Sequence, residues 1–186
     1  MNLYPKFSGA HRLADFLAKY GSDTDRQRWN SVHDRVALTD EQKALLVKFR
    51  REVHVLVLAG ALCGDCVRQC PIFEHFRAAA PVLKVRYLDR DEHADAQEEL
   101  SVNGGRRVPV VVFFSEDGHE VARYGDRTLA TYRRLMTEQT SETCANGNVT
   151  PGDSLLREAT QDWLNEFERV QWLLRLSPRL RQKHGD

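Results

Sequence analysis

Residues 53–80 read VHVLVLAGALCGDCVRQCPIFEHFRAAA, and this stretch decides the fold. The run from Val53 to Leu58 is rich in leucine and β-branched residues and is too continuous for a strand with one wet face. It therefore predicts a buried parallel strand. Apolar residues with helical spacing from Val67 to Ala80 predict a helix that is kinked at Pro71. The short loop between strand and helix holds two cysteines, Cys63 and Cys66.

The sequence downstream continues the alternation of strand and helix. It predicts a strand over 82–88 and then a helix over 91–102 that is stopped by Asn103-Gly104-Gly105. A buried strand over 108–114, a hairpin turn at 116–118 and a strand over 119–124 follow. The last element is a helix that Asp126 or Thr128 caps and that runs to about Glu138. The element order is β, α, β, α, β, β, α, with an antiparallel pair at the end. This order indicates an α/β fold with a central mixed sheet flanked by helices.

Helical segments are predicted on both sides of this unit. Residues 1–51 predict three short helices, with N-caps at Ser22 and Thr39. At the other end, Leu156, Trp163 and Val170 repeat every seven residues, which predicts an amphipathic helix of more than 20 residues that begins at Asp153. Its apolar stripe can dock on its own core or on a second subunit, so a dimer through this helix is possible. The basic tail at 179–183 is expected to be solvated.

Composition excludes several classes of protein. A chain of 186 residues can bury about 70% of its unfolded surface without disulfides. The charges balance at 27 Lys+Arg and 27 Asp+Glu, which argues against nucleic acid or an anionic membrane as a partner. The N-terminus lacks the apolar run of a signal peptide, and the longest apolar stretch, Val55 to Leu62, is too short to span a bilayer. We expect a soluble, cytoplasmic protein.

The chemistry lies in Cys63-Gly64-Asp65-Cys66. A C-x-x-C pair that follows a buried strand and opens a helix is the context of a redox motif. The free N–H groups of the helix N-terminus favour a thiolate, so Cys63 is predicted to be the attacking sulfur. Cys66, three residues on, can attack a mixed disulfide on Cys63 and release the reduced substrate. A structural pair of reduced cysteines is the alternative.

The sequence contains no motif for a bound cofactor. It has no phosphate loop and no dinucleotide fingerprint, and its histidines lack the spacing of a zinc protease. No cofactor is therefore expected, and the electrons would come from a separate reductase. The substrate would be a protein disulfide or a low-molecular-weight disulfide.

Four features follow one another along the chain: the strand before the C-x-x-C pair, the pair itself, Val108-Pro109 before a strand, and Gly125 after the last strand. In these features the sequence resembles the thioredoxin superfamily over roughly residues 40–138. Pro109 follows Cys63 by 46 residues and Gly125 follows Pro109 by 16, as in thioredoxins. The resemblance implies a thioredoxin-like fold in which Pro109 is cis and faces the cysteines. It also implies that Val108, Pro109, Leu62 and Gly125 contact the substrate.

On this resemblance the chain divides into four parts. They are an N-terminal helical extension at 1–38, a thioredoxin-like domain at 39–138, a loop or linker at 139–152, and a C-terminal helix with its tail at 153–186. The helical extension and the string from Ala122 to Arg127 resemble a bacterial subgroup of thioredoxin-like proteins.

Three positions depart from the thioredoxin pattern. Leu62 replaces the usual Trp before the first Cys, which changes the apolar surface offered to partners. Val57 stands six residues before Cys63, where thioredoxins carry a buried acid that accepts the proton of the second Cys. Asp65 replaces the usual Pro, and its charge disfavours a neighbouring thiolate, which makes a dithiol more reducing. Asp65 is expected to cap the helix, with a role as proton acceptor as the alternative.

Arg106 and Arg107 are expected on the loop that faces the cysteines. They could offset Asp65 and lower the pKa of Cys63, or attract an acidic peptide or the carboxylates of a small thiol. Solvated loop charges are the plainer interpretation. We treat Arg107, like Asp65, as a modifier of the site.

Cys70 shares a helix face with Cys63 and Cys66. A buried, inert thiol is the simplest interpretation, and a resolving or regulatory role is the alternative. A zinc site completed by Cys144 or His75 is disfavoured because Cys63 and Cys70 lie about 10 Å apart along a helix axis.

The sequence thus predicts a thiol–disulfide oxidoreductase, more specifically a disulfide reductase, with Cys63 and Cys66 as its catalytic residues. A thioredoxin-fold binding module without catalysis is the first alternative, and a cysteine-ligated metal site is the second.

Overall fold

The reactive segment follows a central strand of a four-stranded sheet. In the computed structural model, which describes residues 1–140 and 153–186, the strands are β1 Val53–Ala59, β2 Leu83–Asp89, β3 Val110–Ser115 and β4 Glu120–Gly125. They lie in the order β2-β1-β3-β4. β1 is parallel to β2 and antiparallel to β3, and β3 is antiparallel to β4. The predicted mixed sheet is confirmed.

The helices of the described residues precede, interrupt and follow the strands. They are α1 Tyr4–Gly9, α2 Leu13–Tyr20, α3 Asp23–His33, α4 Asp40–Leu46, α5 Gly64–Ala79, α6 Ala94–Glu99, α7 Leu129–Thr140, α8 Asp153–Leu176 and α9 Pro178–His184.

Helices cover both faces of the sheet. Phe113 and Phe114 are neighbours on β3, so their side chains point to opposite faces. Phe113 packs edge-on against Phe167 of α8, with ring centroids 5.0 Å apart, while Phe114 contacts Tyr4 of α1 at 5.4 Å. Phe73 of α5 also contacts Phe167, at 5.8 Å. Helix α5, which begins directly after Cys63, and the long helix α8 therefore share one face.

Four helices precede β1 in the described chain, so the predicted number of three is wrong. The predicted caps are present, since Ser22 and Thr39 each form a capping box at the start of α3 and α4. The extra break falls at His11, which exchanges two backbone hydrogen bonds with Tyr87 of β2, at 2.9 and 2.7 Å. The chain leaves the helical path between α1 and α2 because it pairs there with the sheet edge.

The helix predicted over 91–102 is shorter, because turns take both of its ends. The Asp89 carboxylate accepts hydrogen bonds from the N–H groups of Asp91 and Glu92, at 2.9 and 3.1 Å, which holds a turn before α6. After α6, Val102 and Gly105 pair through their backbones.

The long C-terminal helix is confirmed, and its stripe packs inside its own chain. Trp163, Phe167 and Val170 are fully buried. The sequence left open whether this stripe docks on its own core or on a second subunit, and the structure shows the first. The predicted basic side chains of the tail, Arg179, Arg181 and Lys183, are exposed, but the tail also forms α9, which starts at Pro178 and completely buries Leu180.

Salt bridges tie α9 to the turn between β3 and β4. Lys183 pairs with Glu116 at 2.6 Å, and Arg179 pairs with Asp117. Across 1–140 and 153–186, no helix has the length and apolar character needed to cross a membrane. Of the predicted linker at 139–152, all but the first two residues lie outside the described residues.

Candidate active site

Cys63 lies at the N-cap of α5, directly above the end of β1. β1 ends at Ala59, and the N–H of Cys63 donates to the carbonyl of Gly60 at 3.0 Å, which closes a tight turn. The carbonyl of Cys63 then accepts the N–H of Val67 at 2.9 Å and begins the helix. The predicted passage from buried strand to cysteine to helix is therefore present.

The two sulfurs of the motif differ in access. Both thiols are free, but Cys63 is partly exposed whereas Cys66 is completely buried. The N–H of Gly60 lies 3.5 Å from the sulfur of Cys66. Of these two sulfurs, only that of Cys63 is accessible from solvent, and the order of attack stays a prediction.

Val108 and Pro109 face the motif. The peptide bond between them is cis. The Cys63 thiol points at the Val108 carbonyl, with Sγ 3.6 Å from the oxygen. β3 begins only at Val110, two residues later than predicted. Val108 and Pro109 instead form a short segment that faces Cys63, which we call the ledge. The predicted juxtaposition of Cys63, Val108 and Pro109 is thus found in the structure.

Gly125 supports the ledge from behind. A Cβ at this position would lie 2.6 Å from the carbonyl oxygen of Pro109, so the backbone approach leaves room only for glycine. Leu62, by contrast, projects outward with 69% of its surface exposed beside Cys63. An exposed leucine next to the attacking sulfur offers an apolar contact to an incoming partner.

The pKa values of both thiols are raised in the reduced pair. For Cys63 the hydrogen bond with Cys66 and burial raise the pKa, while the backbone N–H groups of Cys66 and Asp65 lower it. Burial also raises the pKa of the Cys66 thiol. The net shift at Cys63 is opposite to the one that the helix N-terminus alone would give. The dithiol is therefore favoured over the thiolate at neutral pH.

Asp65 is held by an arginine that sequence analysis did not assign. Arg127 bonds to Asp65 Oδ2 through Nε at 3.0 Å and Nη2 at 2.9 Å. Arg68 lies 3.6 Å from Oδ1. The N-cap is Cys63 and no side chain caps it, so the predicted capping by Asp65 is wrong. Nothing in the spacing of Asp65 and Arg127, 62 residues apart, signals their contact.

Replacing Arg127 with glutamine is expected to slow alkylation of Cys63 at neutral pH. The Asp65 charge would lose its partner and disfavour the thiolate further, and for a partly exposed pair the change is about two- to fivefold. The measurement is the rate of iodoacetamide labelling against pH, with the curve shifted to higher pH. Arg123→Gln is the control, because Arg123 is similarly exposed but pairs with Glu99 and Glu120 instead. Equal labelling of both variants would contradict this role of Arg127.

Arg107 and Arg106 pair with other carboxylates than Asp65. Arg107 reaches Asp126 at 3.4 Å, and Arg106 reaches Glu98 at 3.1 Å. Asp126 also accepts the hydroxyl of Tyr132. Although burial opposes it, these bonds from Tyr132 and Arg107 hold the pKa of Asp126 below its usual value. The idea that Arg107 offsets the charge of Asp65 is therefore wrong, because Arg127 is the arginine that pairs with Asp65.

Gln69 joins three elements behind the motif. Its buried amide donates to the carbonyls of Asp65 at 3.3 Å and Asp126 at 3.1 Å. Its oxygen accepts the indole N–H of Trp163 at 3.0 Å. The side chain thus links α5 to α8 and to the segment that carries Arg127. No sequence pattern marks it, because all of its partners except Asp65 are distant in the chain.

Cys70 is completely buried one turn after Cys66 and contacts it. Val57 is also completely buried, so the position at which thioredoxins carry a buried acid holds no carboxylate in this chain. Among the described residues, no group of three or more His, Cys, Asp or Glu side chains could hold a metal ion. His75 instead bonds to the carbonyl of His33 at 3.0 Å, and Cys144 lies outside the described residues.

Comparisons with known proteins agree with the fold. A family model described as Thioredoxin matches residues 11–140, so the match begins well before the segment of motif resemblance. A crystal structure of a protein of unknown function from Pseudomonas aeruginosa is similar, with a TM-score of 0.71 and 16% identity over 88% of this chain and 95% of that one. An HIV epitope-scaffold is equally similar, with a TM-score of 0.71 and 16% identity over 90% of this chain and 98% of its own. No curated protein matches.

Proposed function

Because this chain belongs to the thioredoxin family, we propose that it is a thiol–disulfide oxidoreductase that acts as a disulfide reductase through Cys63 and Cys66. One observation carries the proposal. The partly exposed sulfur of Cys63 lies at a helix start, 3.6 Å from the carbonyl of Val108, with the buried Cys66 directly behind it. This is an accessible nucleophile with a protected resolving thiol.

In the proposed first step the Cys63 thiolate attacks one sulfur of the substrate disulfide. The substrate disulfide breaks, a mixed disulfide forms on Cys63, and the leaving thiolate takes up a proton. The Val108 carbonyl and the peptide bond to Pro109 form the ledge against which an extended substrate chain would lie. Leu62 adds apolar contact beside it.

In the second step the Cys66 thiolate attacks the Cys63 sulfur. The mixed disulfide breaks, the Cys63–Cys66 disulfide forms, and the second substrate thiolate leaves and is protonated. Two electrons pass from the dithiol to the substrate. A separate reductase, which we propose as a partner, must then return two electrons and two protons to the pair.

The proposed direction of the reaction is supported by the raised pKa values of the thiols. A dithiol whose thiolate is destabilised gives up its electrons more readily, because the disulfide is then the favoured form. Burial raises the pKa of both thiols and so acts in this sense. We propose accordingly that the protein reduces disulfides, of proteins or of small molecules, in a reducing compartment such as the cytoplasm.

A second candidate function is that of a binding module without catalysis. Val57 favours it, because no buried carboxylate on β1 accepts the proton of Cys66. The two candidates differ in turnover, since a binding module would leave disulfides intact.

Reduction of insulin by dithiothreitol tests the proposed function. We expect the protein to accelerate insulin precipitation in proportion to its concentration, whereas a Cys63→Ser/Cys66→Ser double variant does not. If the wild-type protein and the double variant give the same slow rate, the binding module is the better account.

A further inference from the structure

A cleft beside the active-site helix has no place in the proposed thiol chemistry. It has a volume of about 580 Å³ and lies between α3, the start of α5, α7 and α8. This volume is within the roughly 300–1,000 Å³ of small-molecule sites in proteins. Gly64 and Asp65 of the cysteine motif are among the residues that line it.

The cleft has an apolar interior. Its apolar lining residues come from all four helices and are Val32, Val67, Leu135, Leu155, Leu156 and Ala159. The three leucines and Val32 are only half-buried, although they are large apolar side chains. Covering such surface with the apolar part of a ligand is favourable, at about 25 cal/mol per Å² removed from water.

Charged side chains also line the cleft. Among the described residues that line it, four are arginines, namely Arg28, Arg35, Arg68 and Arg134, and two are acidic, namely Asp65 and Glu138. Arg134 pairs with Glu138 at 2.5 Å, whereas Asp65 is already bonded to Arg127 at 2.9 Å, so Arg68 is the charge that favours an anion over a cation inside the cleft.

Two of these arginines keep donors for a ligand. Arg28 lies 3.5 Å from Asp25, and Arg68 lies 3.6 Å from Asp65. Both distances exceed the roughly 2.7–3.2 Å of an ordinary hydrogen bond. Their side chains are 47% and 57% exposed, and each guanidinium has several N–H groups to give. Such groups bind carboxylate or phosphate oxygens well.

We propose that this cleft binds a small amphipathic anion, with an apolar chain on the leucine-lined interior and a carboxylate or phosphate head among the arginines. The proposal goes beyond the disulfide reductase activity and does not depend on the cysteines. It can fail while the thiol chemistry stands, and the reverse holds too.

Isothermal titration calorimetry of the full chain with decanoate tests it. Decyl phosphate presents the other head group on the same chain, and decyltrimethylammonium presents a positive charge. We expect saturable binding of one or both anions, and the better anion identifies the head group. Binding of the cation as tight as that of the anions would overturn the proposal.

Variants separate the charge from the cavity. Arg28→Gln/Arg68→Gln removes both proposed donors and is expected to weaken binding of the anion by about tenfold or more. Arg77→Gln is the matched control, since Arg77 is 49% exposed and pairs with a carboxylate on its own helix, as Arg28 does, but lies outside the cleft. Ser31→Trp places a large ring in the cleft from an exposed position on α3 and should abolish binding with all arginines present. Unchanged affinity in the double arginine variant would refute the proposal.

Discussion

Cys63→Ser is expected to abolish disulfide reduction, with the rate falling by more than about a thousandfold to the uncatalysed background. Cys63 is the only cysteine of the motif that is exposed to solvent, since Cys66 is completely buried. Without the Cys63 sulfur no mixed disulfide can form, and Cys66 cannot take over. The measurement is the initial rate of insulin reduction at several protein concentrations.

Cys66→Ser is expected to stop the same reaction one step later. Attack by Cys63 would proceed, but no second thiol would release the substrate, so a mixed disulfide should accumulate and be visible by mass spectrometry. Cys70→Ala is the control for removal of a buried thiol from the same helix, and it should keep most of the activity. A mixed disulfide in Cys63→Ser, or full activity in Cys66→Ser, would contradict the proposed order of attack.

Phe167→Ala is expected to lower the free energy of unfolding by about 3–5 kcal/mol. The Phe167 ring lies at the junction of α5, α8 and the sheet, with centroids 5.2 Å from Phe76 and 5.0 Å from Phe113. Its removal leaves a cavity at the place where the long helix docks. Urea unfolding followed by circular dichroism gives the value.

Trp172→Ala is the control on the same helix. Trp172 is 51% exposed, so its loss should change the free energy of unfolding by about 0.5 kcal/mol or less. If Phe167→Ala were as mild as Trp172→Ala, the packing of α8 on the core would be refuted.

Local patterns were sufficient for much of the fold. Ser22 with Asp25 and Thr39 with Gln42 fix two helix starts within four residues of sequence, and both capping boxes are present. The seven-residue repeat through Trp163 and Val170 predicted α8. Such features depend on neighbours in the chain, so a sequence displays them directly.

Other features depend on contacts between distant residues. The break between α1 and α2 comes from the pairing of His11 with Tyr87, and the helical tail depends on burial of Leu180. Neither cause is visible in a window of sequence. The predictions failed where the tertiary structure, rather than local propensity, decides the backbone.

The candidate site shows the same division. The positions of Cys63, Cys66, Val108 and Pro109 were predictable from motif and resemblance. The electrostatics were not, because Asp65 meets Arg127 rather than Arg107. The raised pKa of Cys63 likewise depends on burial and on its hydrogen bond with Cys66, neither of which the helix N-terminus argument includes.

Equilibration of the protein in dithiothreitol redox buffers, with the Cys63–Cys66 disulfide followed by mass spectrometry, tests the central claim most directly. The account predicts a two-electron transition below about −200 mV that is lost in Cys63→Ser and Cys66→Ser and kept in Cys70→Ala. If no Cys63–Cys66 disulfide forms at any potential, the protein is not a thiol–disulfide oxidoreductase.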